Sequence, residues 1–277
     1  MEKMNFKTAA VRRVAVGFGL GLFMAAQSAA ACTLQNWSTV SGAVDPGGPN
    51  PNTANGEVLS PRYAGGCAMA ASGEGFVEDT SPDGIDRIRA RFYVLADNTG
   101  DAIVYEGFNG TTSIFTVEVG SDGVITLSGD GISQPLTAAG SSGNWNSIEL
   151  DWDAGGDQVS LWVNSDAASE NADDTEGLTS GQVVTSVQLG NLSPAGGSLS
   201  FDAYESRRTT PVGRVCVGDA DGNGSRGIGD LEVVFTEIQS AGSTPASGSP
   251  DADENGQIGI GDLEEIFSII QSGNSSC

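Results

Sequence analysis

One fifteen-residue pattern occurs twice in this chain, 32 residues apart, and it constrains the C-terminal fold more than any other feature. Gly218–Glu232 reads GDADGNGSRGIGDLE, and Pro250–Glu264 answers it as PDADENGQIGIGDLE. Counted from the first Asp, positions 1, 3, 5 and 12 carry side-chain oxygens. These are Asp219, Asp221, Asn223 and Asp230 in the first copy, and Asp251, Asp253, Asn255 and Asp262 in the second. Position 6 is Gly224 or Gly256, the residue suited to a sharp turn. Position 7, Ser225 or Gln257, offers a backbone carbonyl. Each copy then enters a helical pattern, with Leu231, Val234, Phe235 and Ile238 on one face and Leu263, Ile266, Phe267 and Ile270 on the other copy's.

This spacing is that of an EF-hand calcium loop, and calcium takes roughly six to eight oxygen ligands. Two calcium sites are therefore expected. No helix is indicated before the first loop. A duplicated loop–helix unit with Asp at position 12 followed by Leu resembles the type I dockerin family over residues 216–277. The resemblance implies calcium in both repeats and docking onto a cohesin-like or cell-surface protein. The chain departs from the family at position 8 of the first loop, where Arg226 stands in place of an aliphatic residue such as Ile258 of the second. It departs again at positions 9 to 11, which are Gly227-Ile228-Gly229 and Gly259-Ile260-Gly261. Ile228 and Ile260 are expected to pack internally or against the neighbouring domain.

Charge narrows the chemistry. The 277 residues carry a formal net charge of −24 and no His. The only lysines are Lys3 and Lys7. An imidazole base, a Ser-His-Asp triad and Schiff-base lysine chemistry are thus excluded from the body of the protein. So acidic a surface repels nucleic acid and anionic lipid, and neither a nucleic-acid partner nor membrane insertion is expected.

Residues 1–31 read as a secretory signal. Lys3, Lys7, Arg12 and Arg13 precede an apolar stretch, and Ser28-Ala29-Ala30-Ala31 supplies small residues for cleavage. A secreted, extracellular or periplasmic protein is expected, with its four cysteines oxidised. Three pairings are possible. Proximity in sequence favours Cys32–Cys67 and Cys216–Cys277, while Cys32 directly after the Ala run also leaves lipidation open. A Cys216–Cys277 bond would staple a module whose core is small.

Residues 32–208 alternate short β-type runs with Gly-Asn, Asp-Gly and Gly-Gly pairs. Along Ile85 to Leu95, Ile88, Ala90, Phe92 and Val94 take one face, and Arg87, Arg89, Arg91 and Tyr93 the other. Eight or more strands without helical period predict a jelly-roll-type antiparallel β-sandwich. Residues 209–215 read as a linker to the small α-helical module. The segment from Trp145 to Asn164 is a strand, a polar turn and a return strand ending Trp-Val-Asn. It resembles the central hairpin of laminin-G-like and concanavalin-like sandwiches, which implies a carbohydrate- or surface-binding domain.

Glu149, Asp151 and Asp153 alternate on that hairpin and share a face. A concanavalin-like polysaccharide hydrolase would use Glu149 and Asp153 as its carboxylate pair. The competing expectation has Ile148, Leu150 and Trp152 facing the core and the three acids facing water. Trp152 and Trp162 read as core, and Trp145 as a possible sugar-stacking platform. The leading expectation is a secreted, non-catalytic calcium-binding protein with a polysaccharide- or surface-binding sandwich and a module for attachment or assembly. A hydrolase and a structural matrix protein without glycan ligand remain as alternatives.

Overall fold

The computed structural model describes residues 33–47, 62–98, 100–193, 197–240, 242 and 244–277. The expected signal segment and Cys32 lie outside them. The fold is mainly β and antiparallel throughout. The strands are β1 (Thr39–Gly47), β2 (Ala68–Asp79), β3 (Arg87–Asn98), β4 (Ala102–Asn109), β5 (Thr112–Val119) and β6 (Val124–Gly129). They continue as β7 (Leu136–Ala139), β8 (Trp145–Asp153), β9 (Gln158–Val163), β10 (Asp174–Gly177), β11 (Ser186–Asn191) and β12 (Gly197–Arg207). Two helices follow, α1 (Ile228–Gln239) and α2 (Ile260–Gln271).

Hydrogen bonding links the strands in the order β10-β9-β8-β3-β12-β2-β11-β4-β5-β6-β7, with β1 on β2. The two ends of this path meet, since β7 contacts both β9 and β10 and Thr137 N donates to Asp174 Oδ2 at 2.9 Å. The sheet thus folds over one core, consistent with a β-sandwich. Alternation explains which residues enter it. Ile88, Ala90, Phe92 and Val94 of β3 are buried together with Ile148, Leu150 and Trp152 of β8 and Val159 and Leu161 of β9.

The helical segment has its own small core of Ala220, Val234, Ala246, Ala252, Ile258 and Ile266. Cys216 and Cys277, 61 positions apart, are disulfide-bonded and clasp its ends. On the chain-entropy account, closing a loop of this length stabilises by about 4 kcal/mol. Cys67 is also disulfide-bonded. Arg226, at the loop position where the second repeat has Ile258, sends its guanidinium to the C-terminal tail. Nη1 donates to Asn274 O at 3.1 Å and to Ser276 O at 3.0 Å.

The junction between the two parts is packed. Tyr63 stacks on Tyr93 with centroids 3.8 Å apart and meets Trp145 edge-on at 5.8 Å. Val215 and Val217 pack against this cluster. Among the described residues no helix is long and apolar enough to cross a membrane.

Candidate metal centres

Each repeat gathers its acids. Ligand oxygens of Asp219, Asp221 and Asp230 lie within 4.8 Å of one another, and so do those of Asp251, Asp253 and Asp262. The turn that achieves this uses positive φ at position 6, +85° at Gly224 and +82° at Gly256. Backbone amides lock the carboxylates in place. Asp219 Oδ2 accepts from Gly224 N at 2.9 Å, and Asp251 Oδ2 from Gly256 N at 2.8 Å.

The acid at position 12 also starts the helix. Asp230 Oδ2 accepts from Gly227 N and Asp262 Oδ2 from Gly259 N, each at 2.7 Å. These satisfy donors that a helix N-terminus leaves without partners. The other oxygen of each turns to the loop. Asp230 Oδ1 accepts from Asp221 N at 3.0 Å, and Asp262 Oδ1 from Ala252 N at 2.7 Å. Asn223 and Asn255 each direct an amide nitrogen to Asp221 Oδ2 or Asp253 Oδ2 at 2.8 Å. A half-turn of either amide presents its oxygen to the same point. Their oxygens accept from the position-7 amides, Ser225 N at 2.9 Å and Gln257 N at 2.7 Å.

The second cluster is electrostatically unbalanced on its own. Burial, then the neighbouring Asp262 charge, pushes the Asp251 carboxyl up to about 8. Burial pushes Asp262 up to about 6, and the Asp253 charge adds to it. Asp251 Oδ1 is buried without a hydrogen-bond partner. A lone buried acceptor is costly, and a bound cation removes that cost. Three carboxylates and an amide, all hard oxygen donors, suit calcium or magnesium over softer metals. The residues present therefore fit the calcium ion that the loop spacing implies. A third acidic grouping, Cys216, Asp219 and Cys277, offers no thiolate because its cysteines are bonded to each other.

The two loops differ in setting. Position 4 takes a positive φ in both, +72° at Gly222 and +60° at Glu254. The left-handed region is cheap for Gly and costs a side-chain-bearing residue about 1–2 kcal/mol. Glu254 has compensation, because its side chain accepts from Tyr63 Oη at 2.8 Å and pairs with Arg214. Its carbonyl accepts from Trp145 N at 2.8 Å. The second loop is thus seated on the sandwich. Nearby, Gly65 N donates to Gly248 O at 2.8 Å, and Arg62 pairs with Glu237 of α1 with both side chains fully buried.

The acid row on β8 does not face water, contrary to expectation. Register sets Asp153 opposite Arg87, Asp151 opposite Arg89 and Glu149 opposite Arg91. Asp151 takes Arg87 Nε at 3.0 Å and Nη2 at 2.8 Å, and Arg89 Nη2 at 2.6 Å. Asp153 pairs with Arg87 Nη1 at 3.0 Å. Glu149 is buried and accepts from Val212 N and Gly213 N, each at 2.8 Å. Burial raises its carboxyl, and those two amides oppose the rise. Linker residue Gly213, at φ +79°, also gives its carbonyl to Arg91 Nη1 at 3.1 Å. The whole row is engaged in cross-strand ion pairs and in fastening the linker.

Two further expectations change. Trp145 is 1% exposed and sits inside the junction cluster, so it is no stacking platform. Trp152 and Trp162 are buried as expected. Ile228 and Ile260 do not pack inside. They are 79% and 69% exposed, and Phe235 and Phe267 stand beside them half exposed. Ile228, Leu231, Phe235, Leu263 and Phe267 line one apolar groove between the helices, with Glu232 at its edge.

No family model matches the chain, and no curated protein matches it. Among solved structures, a protein titled sialidase is 9% identical with a TM-score of 0.39. The match covers 63% of this chain and 17% of that one. The CBM40 of Ruminococcus gnavus IT-sialidase, bound to α2,3-sialyllactose, is 16% identical over 47% of this chain and 80% of its own, with a TM-score of 0.34. Domain 4 of the extracellular GH43 arabinanase AbnA from Geobacillus stearothermophilus, in complex with arabinotriose, is 17% identical over 60% and 84%, with a TM-score of 0.36. Likeness this distant transfers no function.

Proposed function

We propose that this chain is a secreted, non-catalytic calcium-binding protein whose sandwich binds carbohydrate or another surface. Its duplicated loop–helix module serves attachment or assembly. The observation that carries the calcium part is the convergence of three carboxylates in each repeat, with Asp251 Oδ1 left as a buried, unpartnered acceptor. The absence of a catalytic role is supported by the engagement of Glu149, Asp151 and Asp153 with arginines and the linker. The attachment role is supported by the apolar groove of Ile228, Leu231, Phe235, Leu263 and Phe267, and by the recurrence of an exposed Ile and an exposed Phe at the 32-residue offset of the repeat, as Ile228/Ile260 and Phe235/Phe267. Apolar area of this kind on a highly charged protein marks an interaction surface. A cohesin-like or cell-surface protein with an apolar centre and a basic rim would match it.

Calorimetric titration of the full chain with calcium tests the reading, run beside its melting temperature. Two sites are expected, with affinities of roughly 10⁻⁴–10⁻³ M if they behave as extracellular modules do. The melt should rise with calcium, by linkage. A titration without saturable heat, and a melt indifferent to calcium and to chelator, would overturn it.

A further inference from the structure

We infer that the sandwich holds one residue of a neutral saccharide in the cavity whose wall carries Trp37 and Tyr204, a selectivity that rests on the carbohydrate-binding reading above. Of the four tryptophans, Trp145, Trp152 and Trp162 are buried. Trp37 is half-buried, with its ring 5.0 Å from that of Tyr204 and tilted 48° to it. The two rings stand at a cavity of about 280 Å³ whose wall includes Thr33, Leu34, Met69 and Asp202. Most of a sugar ring's contact with protein is made through a C–H face on an aromatic ring and hydroxyls on a few fixed polar groups, the usual composition of small-molecule sites.

The polar wall is built by a local irregularity. Register between β12 and β3 shifts between Asp202 and Glu205, and Ala203 takes φ +48° at the bulge. Alanine in the left-handed region is strained and needs support from its surroundings. Asp202 supplies it by accepting from Ala203 N at 2.6 Å through Oδ1. Its Oδ2 accepts from Tyr63 N at 2.6 Å and Ala64 N at 2.8 Å. A carboxylate has about four acceptor positions, so one on Oδ1 remains beyond these three bonds. Thr33 adds a hydroxyl at the rim. Tyr204 holds its own hydroxyl on Tyr105 Oη at 3.2 Å, which fixes the second ring.

Charge decides the class of sugar. Recognition of a carboxylate-bearing sugar calls for arginine or lysine. Among the described residues no basic side chain lines this cavity, whereas Asp202 does. Arg62, whose charge reaches Asp202, is committed to Glu237. With a net charge of −24 the chain repels sialic and uronic acids at longer range as well. Neutral units are therefore bound and acidic ones rejected.

The test uses the full chain in calcium and a panel of neutral gluco-, xylo-, arabino-, galacto- and manno-oligosaccharides. Sialyllactose and oligogalacturonate are the acidic counterparts. Binding is read by calorimetry and by tryptophan fluorescence, to which Trp37 contributes the solvent-sensitive part. A neutral sugar should bind and shift the fluorescence. Trp37→Ala should weaken it at least tenfold. Trp37→Phe should keep most of the affinity and lose the fluorescence change, and it decides the matter if Trp37→Ala fails to fold. Neutral binding unaltered in both variants would overturn the cleft and leave the carbohydrate reading standing. Preference for the acidic probes would overturn the selectivity alone. No binding of any probe would bring down the carbohydrate reading and this inference with it.

Discussion

Tyr63 donates its hydroxyl hydrogen to Glu254 Oε1 at 2.8 Å, joining the sandwich to the fourth residue of the second acidic loop. Glu254 holds a left-handed backbone, φ +60°, at the position where the first loop has Gly222. The contact sets the two acidic loops apart, because the second is braced by the sandwich. Glu254→Gln should cost about 1–3 kcal/mol of stability by weakening a charge-assisted bond. It should also weaken calcium at one site while sparing the other. Tyr63→Phe keeps the ring stacked on Tyr93 and removes only the donor. Urea denaturation of both single variants and the double gives a cycle. A coupling of about 0.5 kcal/mol or more is expected, and strict additivity would mean that the bond contributes nothing.

Arg62 and Glu237 form a second tie, with both side chains at 0% exposure. Glu237 Oε2 also accepts from Ala246 N at 2.8 Å. Glu237→Ala leaves a buried guanidinium without its partner and should destabilise by about 3–5 kcal/mol. Replacing both members by Met should recover part of that loss, since no charge is then stranded although Ala246 N still loses its acceptor. Denaturation midpoints of the three variants check this. A mild Glu237→Ala would show that the arginine finds water.

Glu149 belongs to the carboxylate pair that the alternative hydrolase reading would use, and its contacts make a different prediction. Glu149→Ala removes the acceptor for Val212 N and Gly213 N. Each buried amide left unpaired costs roughly 1–3 kcal/mol. The linker should loosen, so limited proteolysis should cut within residues 209–215 faster than in the parent chain. Glu149→Gln keeps one acceptor and should lie between. Reducing-end release from polysaccharide should be nil in all three, and release that vanishes with Glu149→Gln would restore the hydrolase.

The alternation along β3 and the loop spacing were legible because each depends on local period and local turn chemistry. Ile88, Ala90, Phe92 and Val94 are buried as a period of two requires. The strands that escaped the sequence reading lack such a pattern. β2 is AMAASGEGFVED, rich in Ala and Gly, and β10 is DTEG, half exposed at one end of the sheet path. The pairing of β2 with β11 and β12 is decided by neighbours distant in sequence. The fate of the acid row was hidden for the same reason. The three arginines of β3 and the three acids of β8 both alternate, but their opposition needs the register of two strands whose paired residues lie 58 to 66 positions apart. The burial of Trp145 was hidden because it depends on how the helical module sits at the junction.

Asp202 gives the chain a pH dependence with a definite sign. Burial pushes its carboxyl up to about 6, against the opposing pull of the Ala64, Tyr63 and Ala203 amides and of Arg62. An acid whose folded pKa exceeds its unfolded value of about 3.9 holds its proton more tightly in the folded state. The stability tied to that proton is complete below about pH 4. It declines as pH rises and is gone above about pH 6. A rise of about two pKa units amounts to roughly 3 kcal/mol over this window. Asp251 and Asp262 are raised too, so the total slope belongs to several groups. The difference between the parent chain and Asp202→Asn cancels the others. The variant loses stability at every pH through a poorer acceptor set, but its deficit should shrink between pH 4 and 6 as ionised Asp202 becomes a burden on the parent. Urea midpoints across that range measure the difference, and a deficit constant with pH would show that Asp202 titrates as an ordinary carboxylate.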